Sequence, residues 1–116
     1  MDKRELKTGN YVRQEMELSG ERVLRTYGID MDVYSYESAC PIGLTREWVQ
    51  LLGFYDGPSN LACTYPPLVI IETEHGWKAY WRGETLGVFL SYVHELQNLY
   101  FGLTGQDLKI QTPKNK

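Results

Sequence analysis

The sequence predicts an α+β fold: an antiparallel β meander or small partly open barrel, with a short central helix and a C-terminal helix packed on the sheet. Three observations predict it. Short runs of alternating polar and apolar residues recur between turn residues, the mark of half-buried strands. Two other segments repeat apolar residues at helical spacing. Aromatic residues make up 13% of the chain, with nine Tyr, three Trp and three Phe, which favours strand-rich packing over a helical bundle.

The first β region opens at Gly9-Asn10 and runs through Tyr11 to Met16, with Val12, Gln14 and Met16 opposed to Tyr11, Arg13 and Glu15. Ser19-Gly20 is a turn signal before a second run from Glu21 to Tyr27, and Tyr27-Gly28 breaks it before a third from Ile29 to Tyr36. Pro41 to Leu44 is then extended. Thr45 is a good N-cap for a helix over residues 46–52, where Trp48, Leu51 and Leu52 fall on one face and Gly53 provides the stop. Phe54 re-enters the core. Asp56 to Asn60 is a loop by composition.

Pro66-Pro67 precedes Leu68 to Glu74, the most apolar run and the expected central strand. His75-Gly76 turns into a strand over 77–82, and Gly83-Glu84 turns again into Thr85 to Phe89. The last element is a helix over Tyr92 to Leu103, capped by Ser91 and ended by Gly105. Its apolar stripe is Val93, Leu96, Tyr100 and Leu103, widened by Leu99.

With 116 residues the chain is sized for one core. A single α+β domain is expected over residues 9–110, between a flexible N-terminus (1–8) and a flexible tail (111–116). No run approaches the length of a membrane span, and the first residues lack the apolar core of a signal peptide. The net charge is -3 and no basic cluster exceeds Lys3-Arg4. Duplex nucleic acid, bound largely by phosphate neutralisation, is therefore an unsuitable partner. Cys40 and Cys63 are two unclustered thiols, which fits a reducing cytoplasm; a bridge between them is the lesser alternative.

Few residues carry readable chemistry. His75 and His94 are the only histidines, and His94 and Glu95 point about 100° apart on a helix, so no metal site is expected. Neither cysteine has a sequence cue for an activated thiolate, and no nucleophile elbow or phosphate loop is present. Asp30 with Asp32, and Glu72 with Glu74, alternate onto strand faces; solvated carboxylate pairs are far commoner than a hydrolase or magnesium site. No cofactor and no enzymatic activity are expected.

The arginines differ. Arg13 shares a strand face with Tyr11, Arg25 shares one with Tyr27, and Arg82 follows Tyr80-Trp81. A guanidinium beside an aromatic ring suits a nucleotide, the ring stacking on a base while the guanidinium forks onto phosphate. Tyr11, Arg13, Arg25, Tyr27, Trp81 and Arg82 are thus the candidate ligand-binding residues. The competing interpretation is surface Arg–Glu pairing, with Arg stems lying over Tyr.

Residues Pro41 to Phe54, PIGLTREWVQLLGF, resemble the P-I-x-L-T-x-E-W-L-x-x-x-G-F segment of a family of small proteins from bacteriophages and prophages of gut Bacteroidetes. The likeness resumes at Tyr92 to Gly105, YVHELQNLYFGLTG, against that family's closing Y-V-H-Q-L-Q-N-L-Y-F-A-L-T-G-E-E-L. The opening Leu6 to Val12 is similar to its L-R-x-G-N-Y-V start. Glu95 and Gly102 depart from the pattern, as does the stretch from Tyr55 to Leu90. The resemblance implies no catalytic residues. It implies a phage setting, in which small proteins act in the host cytoplasm against host defence.

Two functions follow as expectations. One is a non-catalytic homo-oligomer that sequesters a small nucleotide-derived host immune signal. The other is an adaptor or inhibitor acting on a host protein through a tyrosine-rich surface. A hydrolase using Asp30 and Asp32 ranks below both.

Overall fold

The computed structural model describes residues 6–16, 19–29, 39–56 and 62–111. The fold is α+β: the described residues form a three-stranded and a five-stranded antiparallel sheet, neither closed into a barrel, and two helices. The chain groups into two compact units. One comprises Met1–Gly43 and Tyr92–Asp107; the other comprises Leu44–Ser91 and Leu108–Lys116.

In the first unit β1 (Tyr11–Glu15) is the central strand, flanked by β2 (Arg22–Thr26) and β3 (Ala39–Cys40). The β1–β2 hairpin forms where alternation and the Ser19-Gly20 turn place it, in the register Tyr11↔Thr26, Val12↔Arg25 and Arg13↔Leu24. Of the third alternating run only Ile29 is described; it lies in a turn and is exposed. Asp30 and Asp32 lie outside the described residues. The described partner on the other edge of β1 is instead the two-residue β3, with Arg13 opposite Cys40 and Gln14 opposite Ala39.

Val12 and Ala39 share the inner face and cluster with Leu6 and Tyr27. Leu6 is thus packed into the core of this unit. Lys7 is held as well: its ammonium lies 2.8 Å from an Asp107 carboxylate oxygen and 4.2 Å from the Phe101 ring centre.

Helix α2 (Val93–Thr104) starts one residue later than expected, with Tyr92 rather than Ser91 at the cap. The Glu95 carboxylate accepts the Tyr92 N–H at 3.0 Å, satisfying a backbone donor that the helix leaves unpaired. Gly105 ends it at φ 74, a left-handed conformation that costs glycine little, and its N–H donates to the Phe101 carbonyl. Val93, Leu96 and Tyr100 are buried as the stripe requires, while Leu99 and Leu103 are only half-buried. His94 and Gln97 take their place inside.

Gln97 is there by backbone demand. Gln97 accepts the Tyr11 N–H at 2.8 Å and donates to the Gly9 carbonyl at 2.9 Å, joining α2 to the start of β1. Asn10, fully buried, donates to the Asn98 side chain at 2.9 Å and accepts the Lys7 N–H at 2.8 Å. The His94 ring stacks on Tyr92 at 5.8 Å between centroids.

The second unit is a five-stranded meander in sequence order: β4 (Tyr55–Asp56), β5 (Ala62–Tyr65), β6 (Leu68–Thr73), β7 (Gly76–Trp81) and β8 (Glu84–Leu90). The apolar run at Leu68 is its central strand, as expected. Helix α1 (Arg46–Leu51) begins at Thr45, whose hydroxyl accepts the Trp48 N–H at 3.2 Å. Its buried face is Trp48, Val49 and Leu52 rather than Trp48, Leu51 and Leu52; Leu51 is exposed. Gly53 takes φ +102, and a Cβ there would stand 2.9 Å from the Tyr65 ring. Phe54 is buried and meets Tyr65 at 5.4 Å. Leu108 is buried, and the Gln111 N–H donates to the Leu51 carbonyl.

The β7–β8 turn is Arg82-Gly83, with φ 53 and 86, the signs of a type I′ hairpin. Asparagine tolerates the first of these positions and a long side chain resists it. Arg82→Asn is therefore expected to stabilise the chain by about 0.5–1 kcal/mol in urea denaturation. Unchanged or lower stability would remove the case for strain at this residue.

Candidate functional site

The register sorts the side chains of the five-stranded sheet onto two unlike faces. Asp56, Cys63, Tyr65, Leu68, Ile70, Glu72, Trp77, Ala79 and Trp81 share one. The segment from Leu44 to Phe54 packs on it. The Trp77 indole N–H donates to the Leu44 carbonyl at 3.0 Å. Arg46 reaches over four strands: its guanidinium lies 3.2 Å from Asp56, 3.4 Å from Cys63 Sγ, 4.0 Å from Glu72 and 6.0 Å from the Trp77 ring centre. Three strand carboxylates, Asp56, Glu72 and Glu84, belong to this side by register.

Cys63 has no exposed surface. Burial pushes its thiol pKa up, the Arg46 guanidinium opposes this, and Asp56 and Glu72 add to the rise. A raised pKa leaves little thiolate near neutrality, so this thiol is a packing group rather than a nucleophile. Neither Cys40 nor Cys63 is in a disulfide.

The other face carries Tyr55, Ala62, Thr64, Val69, Ile71, Thr73, Lys78, Tyr80, Thr85 and Phe89. Tyr55 and Phe89 are 57% and 48% exposed, and Val69, Ile71, Lys78 and Tyr80 are half-buried. Lys78 is the one charged residue in that set, its ammonium 5.5 Å from the Tyr80 ring centre. Phe89 is met edge-on by His75 at 6.2 Å. The second unit's one described helix, α1, is on the opposite face. Three aromatic rings and two aliphatic β-branched residues surround one cation on this face, which is exposed at Tyr55 and Phe89 and closed at Ala62.

The six residues selected from the sequence divide between the two units and, within the first, between the two faces of its sheet. Tyr11 and Arg13 share the outer face of the first unit's sheet with Leu24, Thr26 and Cys40. Arg25 is opposite Val12, on the inner face, and its Nε donates to Gln14 at 3.2 Å. Tyr27 is 5% exposed within the Leu6–Val12–Ala39 cluster, with no ring face left for a base. Trp81 and Arg82 belong to the second unit, at a hairpin tip, with the guanidinium 5.9 Å from the indole centre.

Alternation could pair residues two apart along one strand. It could not show that the Tyr11–Arg13 and Arg25–Tyr27 pairs turn to opposite sides, which depends on hairpin register. Tyr55, Lys78, Tyr80 and Phe89 went unselected as a group. Their signal, alternate positions on consecutive strands, was readable once those strands are paired in order. Among the described residues no cluster of His, Cys, Asp or Glu is arranged to hold a metal ion, and no helix is long and apolar enough to cross a membrane.

Comparison with known proteins finds no matching family model, no matching curated protein and no matching solved structure.

Proposed function

We propose that the chain is a phage-encoded binding protein that acts in the host cytoplasm as an adaptor or inhibitor of a host protein. The observation that carries this reading is the open face of the five-stranded sheet. Large apolar patches that a fold leaves exposed are characteristic of interaction surfaces, and Tyr and other aromatics anchor such interfaces at low entropic cost. The opposite face, with its carboxylates and Arg46, is occupied by α1 and is spent on folding. A homo-oligomer, the assembly expected from the sequence, would use the same open face and would appear as a dimer or larger species in sedimentation.

The test is capture from host lysate with wild-type protein, Tyr80→Ser and Phe89→Ser, each checked for an unchanged melting temperature. Loss of about 2 kcal/mol of binding, or roughly thirtyfold in affinity, is expected at an anchor residue. Equal capture by all three proteins would contradict the assignment of this face.

A second reading, sequestration of a small nucleotide-derived host signal, keeps the support of one place, the Tyr11–Arg13 face. Heating the purified protein and analysing what it releases separates the cases. An intact nucleotide supports sequestration, and an altered product supports an enzyme.

A further inference from the structure

We infer that the outer face of the first unit's sheet is a phosphate-binding surface centred on Arg13, with Arg22 as its second cation and Tyr11 as the ring that holds an attached base. This rests on the sequestration reading and gives it a location and a ligand class, a nucleoside monophosphate group.

Arg13 lies on β1, the central strand, between Leu24 on one side and Cys40 on the other. Flanked on both sides, Arg13 is half-buried. Among the described residues it has no ion-pair or hydrogen-bond partner. A partly desolvated guanidinium without an acceptor is costly, and the cost is recovered when an anion with matching oxygens arrives.

The surroundings favour a dianion. Arg22 is opposite Glu15, which places it diagonally across the hairpin from Arg13, about 7–8 Å away at the backbone and within reach of a shared phosphate. Glu15 is the one carboxylate among the described strand residues of this face. It is exposed, and among the described residues it forms no ion pair with Arg22 or Arg13. Among the described strand residues of this face, two cations stand against one carboxylate.

Tyr11 stands two residues from Arg13 on the same face and is half-buried. A base stacked on that ring would carry its 5′-phosphate towards Arg13. Thr26, opposite Tyr11, adds a hydroxyl at the base end. Arg25 and Tyr27 take no part, being on the inner side.

The experiment is amide NMR of the intact chain titrated separately with inorganic phosphate, adenosine and AMP at millimolar concentrations. AMP is expected to shift the amides of Arg13, Arg22, Leu24 and Cys40 and to bind more tightly than either fragment. Arg13→Ala is expected to weaken AMP at least about tenfold, the loss of a charge-assisted pair. Arg22→Ala, at an exposed position that folding does not need, should weaken it less, and Arg82→Ala should leave it unchanged. Equal binding of phosphate and AMP would overturn the role given to Tyr11. AMP shifts centred on Arg82, or undiminished by both Arg13→Ala and Arg22→Ala, would overturn this site while leaving sequestration standing elsewhere. No shift with any of the three would overturn this site, and sequestration falls with it if the heated protein also releases no nucleotide.

Discussion

Gln97→Met is expected to lower the stability of the chain by about 2–4 kcal/mol, measured by urea denaturation. Methionine has nearly the same volume, so little cavity forms and the loss isolates the polar contacts. Gln97 is 3% exposed and serves two backbone groups at once, the Tyr11 N–H and the Gly9 carbonyl. Removing the amide leaves both without their partner at the point where α2 meets β1. The cost of such orphaned groups is about 1–3 kcal/mol each. Gln106→Met, at an exposed position, should change stability by no more than about 0.5 kcal/mol. Similar small effects from both would show that the Gln97 bonds contribute little.

Leu68→Ala is expected to cost about 2–5 kcal/mol and to expose Cys63 to alkylation. Leu68 has no exposed surface, is on the central strand of the meander and shares its inner face with Ile70, Cys63 and Trp77. A cavity there cannot be filled by side chains already engaged with α1. Since the Cys63 thiol is both buried and held in its protonated form, it reacts chiefly when this unit opens. Peptide mapping after iodoacetamide should then show Cys63 modified roughly thirtyfold faster than in wild type, the factor that a 2 kcal/mol loss sets. Rapid Cys63 alkylation in the wild-type protein would contradict the packing described for this face.

Much of this architecture was legible because local chemistry dictated it. Thr45 caps α1, Gly53 and Gly105 take the left-handed conformations that end helices, and alternation fixed the hairpins from Tyr11 to Thr26 and from Leu68 to Leu90. The central strand was readable from the apolar density at Leu68. Where sequence reading failed, the deciding forces were nonlocal. A two-residue strand such as Ala39–Cys40 has no periodicity to detect, yet it sets the order β2-β1-β3.

Burial of Asn10, His94 and Gln97 could not be anticipated from residue type, because these side chains are usually outside. Distant backbone groups at Gly9 and Tyr11 required Gln97 within, and Asn10 joins the Lys7 N–H to the Asn98 side chain 88 residues away. Arg46 was read only as part of a motif, although it bridges Asp56, Cys63 and Glu72. The candidate surfaces show the same division. Tyr11 with Arg13 was visible in alternation, whereas the set formed by Tyr55, Lys78, Tyr80 and Phe89 exists only after four turns have brought five strands into line.

The role assigned to the open sheet face is tested most directly by photocrosslinking in the host cell. A benzophenone amino acid replaces Tyr80, Phe89 or, as an exposed control in the first unit, Tyr92. The predicted result is one discrete host-protein adduct from positions 80 and 89 and none from 92. Adducts from position 92 alone, or from no position, would contradict the assignment of this face as the binding surface.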